Sequence, residues 1–364
     1  MVMGARPEVK TASTAMTVFA VTGLAVQLVN ALASVSFRRP LRGRESLLHN
    51  LGITVTRTVM RAFLGYAGSL PTAEFRSVER LLDDLCRIVL PPFLRRSDVE
   101  IHETTVGGIS GFSYQHRTRE PHGTILYLHG GGYIGTSPIM YTISTGRIAD
   151  ETGCSVFVPD YRLAPEFPFP SSLVDVIAVY EGLLDAGVRP ERLFLAGDSG
   201  GGGLANALML DLRVRSSRRP AGLILFSPET SLTLDEPSIT ENAGRDILPW
   251  NIPVWPYLHR LDPRDPSISA IDGDLHSFPP TFVAFGGDEI FRDAIRRFVA
   301  RLKASGIDTT AIEEPDMFHA FPLLMPWADA SDRVYQAVGE FVRRQLMSGS
   351  SRGPVDDRAN RHRT

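Results

Sequence analysis

Two periods of hydrophobic and polar residues divide the chain. Short apolar runs at 124–128, 193–196, 223–226 and 280–285 are bounded by Gly, Pro, Ser or charged residues, and their length and side chains predict buried strands. Residues 309–314 read as a further strand. Between these runs the spacing turns helical, at 147–152, 171–186 and 292–305. Strands alternating with helices predict an α/β domain around a parallel sheet. Ahead of it, 99–106 and 109–116 alternate around Gly107-Gly108 and predict a hairpin that opens the sheet. Behind it, a helix over 328–346 places Val334, Val338, Phe341 and Val342 on one face.

The first 95 residues read as helical: 11–37, 44–65 and 72–90, broken by Pro71 and ended by Pro91-Pro92. They are expected to form a helical cap region with an apolar N-terminal segment. The α/β domain would span 96–347, with 229–278, rich in Pro and Asp, as a cap insertion. The polar tail 348–364 is expected to be disordered. Segment 11–37 is long enough to cross a bilayer. Yet Gly23, Gln27, Asn30 and Ser34 recur at helical spacing as a narrow polar stripe. The preferred reading is a cytoplasmic protein in which this helix roofs a pocket of the α/β domain. The alternatives are a membrane anchor or interfacial helix, making peripheral lipid contact through residues 11–37, and a cleaved export signal.

Two glycine motifs carry the chemistry. His129-Gly130-Gly131-Gly132-Tyr133 directly follows the run at 124–128, and Gly197-Asp198-Ser199-Gly200-Gly201 directly follows that at 193–196. The first offers backbone N–H donors, and the second a serine where a strand stops and a helix begins. A serine hydroxyl needs a base within reach and a third group to orient that base. Asp288 lies in the loop after 280–285, and His319 in the loop after 309–314. Their order after Ser199 is that of an α/β-hydrolase.

The chain resembles the bacterial branch of the hormone-sensitive-lipase family of α/β-hydrolase carboxylesterases and lipases. The resemblance rests on the block 129–133, on Asp160-Tyr161-Arg162-Leu163-Ala164-Pro165-Glu166 with Pro168-Phe169-Pro170, on the 197–201 turn, and on the Asp288 and His319 loops. It implies an α/β-hydrolase fold with a mostly parallel central sheet flanked by helices. It further implies Ser199 as nucleophile, His319 as general base then acid, Asp288 as its partner, and the amides of Gly131, Gly132 and Gly200 as oxyanion donors. Where the family usually has alanine, Gly200 follows the serine, a change that leaves a backbone donor in place. His129 would brace the oxyanion loop. Asp198 and Glu289 are expected to point away from the reaction, and Asp160 and Glu166 to pin their loop.

Other chemistries fit less well. Gly-Asp-Ser-Gly-Gly also marks trypsin-like proteases, but those need an all-β pattern and a base upstream of the serine. No Lys-Ser/Thr follows the glycines, which weighs against a phosphate loop. A silent hydrolase-fold binder would lack the base, and His319 is present. With 43% hydrophobic and 22% charged residues, the chain can build one large core. A net charge of −3 gives no reason to expect nucleic acid. Cys86 and Cys154 form neither a disulfide framework nor a zinc motif. The expected chemistry is hydrolysis of a small-molecule ester, with amide, lactone or carbamate as alternatives, and it calls for neither metal nor cofactor.

Overall fold

In the computed structural model, residues 9–37, 46–94, 98–214, 218–249 and 254–351 are described. Helices α1 (Thr14–Val35), α2 (Leu47–Ala67) and α3 (Thr72–Val89) and the single turn α4 (Pro91–Leu94) come first. Ser13 and Ser46 cap α1 and α2 with their side chains, and Pro71 stands at the N-cap of α3. The hairpin β1 (Val99–Val106) and β2 (Ile109–His116) follows, then β3 (Thr124–Leu128), α5 (Thr142–Thr152), β4 (Ser155–Pro159) and α6 (Ser171–Asp185). The middle of the chain supplies β5 (Leu193–Asp198), α7 (Ser199–Val214), β6 (Gly222–Phe226) and the short α8 (Pro237–Glu241) and α9 (Trp255–Leu258). The last elements are β7 (Thr281–Gly286), α10 (Arg292–Ala304), β8 (Thr309–Glu314), α11 (Phe321–Leu324) and α12 (Asp329–Ser351).

The strands form one sheet in the order β1-β2-β4-β3-β5-β6-β7-β8. The pairs β1–β2 and β2–β4 are antiparallel, and every later pair is parallel. Alternation along each central strand splits its side chains between two cores. Leu126, Leu128, Leu193 and Leu195 enter the one filled by α6, α7 and α10. Ile125, Tyr127, Phe194 and Ala196 enter the one filled by α5 and α12. Burial on both faces is why these strands read as continuous apolar runs.

Strand β4 was not singled out by pattern, because only Val156, Phe157 and Val158 form its apolar run. Helix α12 continues past 346 to Ser351, and the rest of the expected tail, 352–364, lies outside the described residues.

Helix α1 lies on α2 and α3. Ala20, Leu24 and Val78 are buried together, and the Tyr66 hydroxyl donates to the Ala20 carbonyl at 2.9 Å. Gly23 permits this approach, since a Cβ there would fall on the Tyr66 ring and hydroxyl. The opposite face, with Val18, Phe19, Val26, Val29 and Leu32, is exposed. The contacts to the hydrolase loops come instead from Arg57 and Arg61 of α2 and Arg76 of α3.

Candidate active site

Strand β5 ends at Asp198, and α7 begins at the next residue. Ser199, at that junction, has φ 51. An L-residue there is strained by roughly 1–3 kcal/mol, so the surrounding packing must hold it. Part of that hold is visible: the Glu229 amide donates to the Ser199 carbonyl at 2.9 Å. Asp198 braces the turn from behind, as its Oδ1 accepts from the Tyr127 hydroxyl and the Gly130 amide, each at 2.9 Å. Burial raises the Asp198 carboxyl to about 7 despite these donors. Ser199 is half-buried, and its hydroxyl makes no hydrogen bond to another described residue.

The glycine block after β3 turns back over this junction. Gly131, Gly132 and Tyr133 have φ 104, 61 and 63. A Cβ on Gly131 would come within 2.2 Å of the Gly135 carbonyl, so only glycine fits. Gly200 lies directly against the block: a Cβ there would sit 3.1 Å from the Tyr133 amide nitrogen and 3.3 Å from that of Gly132. The three expected donor residues are therefore neighbours. His129 braces the loop, with Nδ1 at 3.0 Å from Thr136 Oγ1 and its ring stacked 4.3 Å from Tyr161. Burial lowers its pKa to about 4, leaving the ring neutral at pH 7.

His319 follows β8 and is buried. The carboxylate facing it is that of Glu289: Oε1 lies 3.8 Å from His319 Nδ1, and neither atom has a hydrogen-bond partner among the described residues. Glu289 Oε2 accepts from Ser227 Oγ at 2.6 Å and from the Gly286 amide at 2.8 Å, so its carboxylate is fixed. Burial works against a protonated His319, but Glu289, then Asp246 and Asp198, outweigh it and raise the imidazole pKa.

Asp288, expected as the partner of His319, faces other groups. Its side chain pairs with Arg57 of α2 at 3.2 Å and with Arg245 at 3.8 Å, and among the described residues it makes no hydrogen bond or ion pair with His319. Adjacent residues on a tight turn project in different directions, so one acid turns inward and the other outward. The sequence held a partial signal, since Asp288-Glu289 offers two carboxylates, but spacing alone could not choose between them.

Asp246 carried no sequence signal. Its buried carboxylate accepts from the His319 amide at 2.9 Å and the Ile247 amide at 2.7 Å through Oδ1, and from the Ile290 amide at 2.8 Å through Oδ2. It thus ties the His319 loop to the residue after Glu289. The Ser227–Glu229 loop joins the two halves of the site. Ser227 Oγ accepts from the Ala320 amide at 2.9 Å, while Glu229 holds Ser199. Glu166 pins its loop as expected, because Arg76 reaches both of its oxygens at 2.9 and 2.6 Å. Ser199, the glycine block, Glu289 and His319 all lie at the carboxyl ends of parallel strands, where open α/β sheets form their crevice.

A family model for the α/β hydrolase fold matches residues 125–323. An acetyl-hydrolase of Streptomyces hygroscopicus is 35% identical over 224 residues, 60% of this chain and 75% of that protein. An esterase of Acinetobacter venetianus is 28% identical over 292 residues, 79% of this chain and 94% of that one. Among solved structures, an esterase from the bacterial hormone-sensitive lipase family matches with a TM-score of 0.67 at 29% identity, over 88% of this chain and 98% of the other. The chain belongs to the α/β-hydrolase family. Within it, the chain falls in the hormone-sensitive-lipase branch and is a hydrolase of the carboxylesterase type.

Proposed function

We propose that this enzyme hydrolyses carboxylic esters of short to medium acyl chain through a Ser199–His319–Glu289 triad. The observation that carries the reading is the buried pairing of Glu289 Oε1 with His319 Nδ1, on loops that share the Ser227–Glu229 segment with Ser199. With Nδ1 turned to Glu289, Nε2 is the nitrogen left for the serine. Ser199 Oγ attacks the ester carbonyl carbon while its proton passes to Nε2. The charge on the carbonyl oxygen is met by the amides of Gly131, Gly132 and Gly200. Collapse of the adduct expels the alcohol with that proton. Water, deprotonated by the same nitrogen, then releases the acid. Contacts of this kind tighten when substrate binds, so 3.8 Å is compatible with the pairing. A short acyl group is supported by the acetyl-hydrolase among the relatives.

In this reading α2, α3 and the 229–278 segment form the cap over the site. The outward face of α1 makes peripheral contact with a lipid surface. Helix α1 is 22 residues long, uncharged and predominantly apolar, and a helix of that kind is normally enclosed by protein or lipid. Among the described residues, protein covers only the face carrying Ala20, Leu24 and Ala31.

A fluorophosphonate probe tests the chemistry. It should label Ser199 alone, and Ser199→Ala should lower ester turnover by roughly a thousandfold or more with the fold intact. Label on another residue, or more than a tenth of wild-type turnover in the alanine variant, would sink the triad. p-Nitrophenyl esters of graded chain length would then rank the acyl groups.

A further inference from the structure

Arg57 projects from α2 onto the two loops that carry the acid and the base. One of its terminal nitrogens, Nη2, donates to Asp288 Oδ2 at 3.2 Å and to the Asp316 carbonyl at 2.8 Å. Asp288 immediately precedes Glu289, and Asp316 lies three residues before His319. Its guanidinium carbon also lies 5.7 Å from the centre of the Phe318 ring, beside His319 itself. The loops touch here independently, since the Asp288 amide donates to the Met317 carbonyl at 2.9 Å. Four residues along the helix, Arg61 Nη1 donates to the Asp246 carbonyl at 2.9 Å, and Asp246 holds the His319 amide. One face of α2 therefore grips the acid and base loops from outside, while Asp246 ties them from inside.

We propose that Arg57 is a positioning residue for the reaction. It holds the Glu289 and His319 loops at the separation in which the carboxylate faces Nδ1, so that seating helix α2 completes the catalytic pair. The inference rests on the triad reading above. It assigns Asp288, the acid singled out in the sequence, the task of receiving Arg57. A planar guanidinium suits this, because it can reach a carboxylate, a carbonyl and a ring face together, which an ammonium group cannot.

The test is a double-mutant cycle on the full-length enzyme with a p-nitrophenyl ester. Arg57→Met and Asp288→Asn should each lower kcat by about tenfold with KM within about twofold, and the double variant should be no worse than the poorer single one, because both sever one link. Arg57→Lys should recover part of the loss. In each variant the acid limb of kcat/KM should move to lower pH, since a looser Glu289 favours the imidazolium less. A wild-type kcat and acid limb in Arg57→Met, with only the melting temperature lowered, would overturn the proposal. So would a rise confined to KM, which would mark a substrate contact. Should Arg57→Met fail to fold, Arg57→Lys and Asp288→Asn carry the same readouts. Failure of the triad reading is separate: it would show as a wild type left unlabelled at Ser199 by fluorophosphonate, or as a Glu289→Gln variant no more impaired than Asp288→Asn.

Discussion

His319 is buried among carboxylates, and the balance raises its pKa above the ordinary 6.5. Because the base must be neutral to take the Ser199 proton, the acid limb of kcat/KM is expected on the alkaline side of 6.5. Glu289→Gln removes the nearest charge that favours the imidazolium. It should shift that limb to lower pH and reduce the plateau by about a thousandfold or more, the scale of losing a triad acid. Asp288→Asn should cost far less. A pH profile of both variants decides between the two carboxylates, and equal losses would return the acid role to Asp288. His129 titrates the other way, with burial holding it to about 4, so it stays neutral across this window.

At the scale of elements, the site is a set of strand ends joined by side chain to backbone bonds. Asp246 belongs to a stretch without regular secondary structure, yet one amide from the acid loop, Ile290, and one from the base loop, His319, converge on it together with that of its neighbour Ile247. Asp246→Ala would strand those N–H groups in a buried place, at about 1–3 kcal/mol for each one left unsatisfied. The expected outcome is a clearly lowered melting temperature by calorimetry together with a lower kcat in the folded enzyme. Asp246→Asn keeps an acceptor for one loop and should lose less of both. An unchanged kcat in folded Asp246→Ala would show that the clamp serves stability alone.

For the whole molecule, the unusual surface is the outer face of α1, where Phe19 is 73% exposed. Between Glu8 and Glu45 the chain carries Lys10, Arg38, Arg39, Arg42 and Arg44 and no acidic residue. Apolar area beside cationic flanks suits an anionic lipid surface. The protein is expected to float with phosphatidylglycerol-containing vesicles and much less with phosphatidylcholine alone. Phe19→Asp with Val29→Asp should abolish flotation while hydrolysis of a soluble ester is retained. Flotation unaffected by these changes would reject the lipid contact.

Much of this protein was legible without coordinates wherever chemistry is written in local pattern. Apolar runs marked most of the central strands because burial on both faces demands them, and the glycine motifs marked the turns because close backbone approach excludes side chains. The placing of Ser199 and of the glycine block at strand ends follows from that, while the roles expected of His319 and of the oxyanion glycines came with the family resemblance. Choosing Glu289 over Asp288 did not, because the direction of two adjacent carboxylates is set by what surrounds the turn: Ser227 and the Gly286 amide on one side, Arg57 on the other. Asp246 and Arg57 were silent for the same reason, lying 73 and 231 residues from the partners they hold. Helix α1 was expected to roof the acyl pocket, but α2 and α3 supply the contacts to the site loops. Local sequence determined which elements form and which residues are candidates for the chemistry; tertiary packing decided which of two neighbouring carboxylates meets the histidine, because only long-range contacts fix where a loop side chain points.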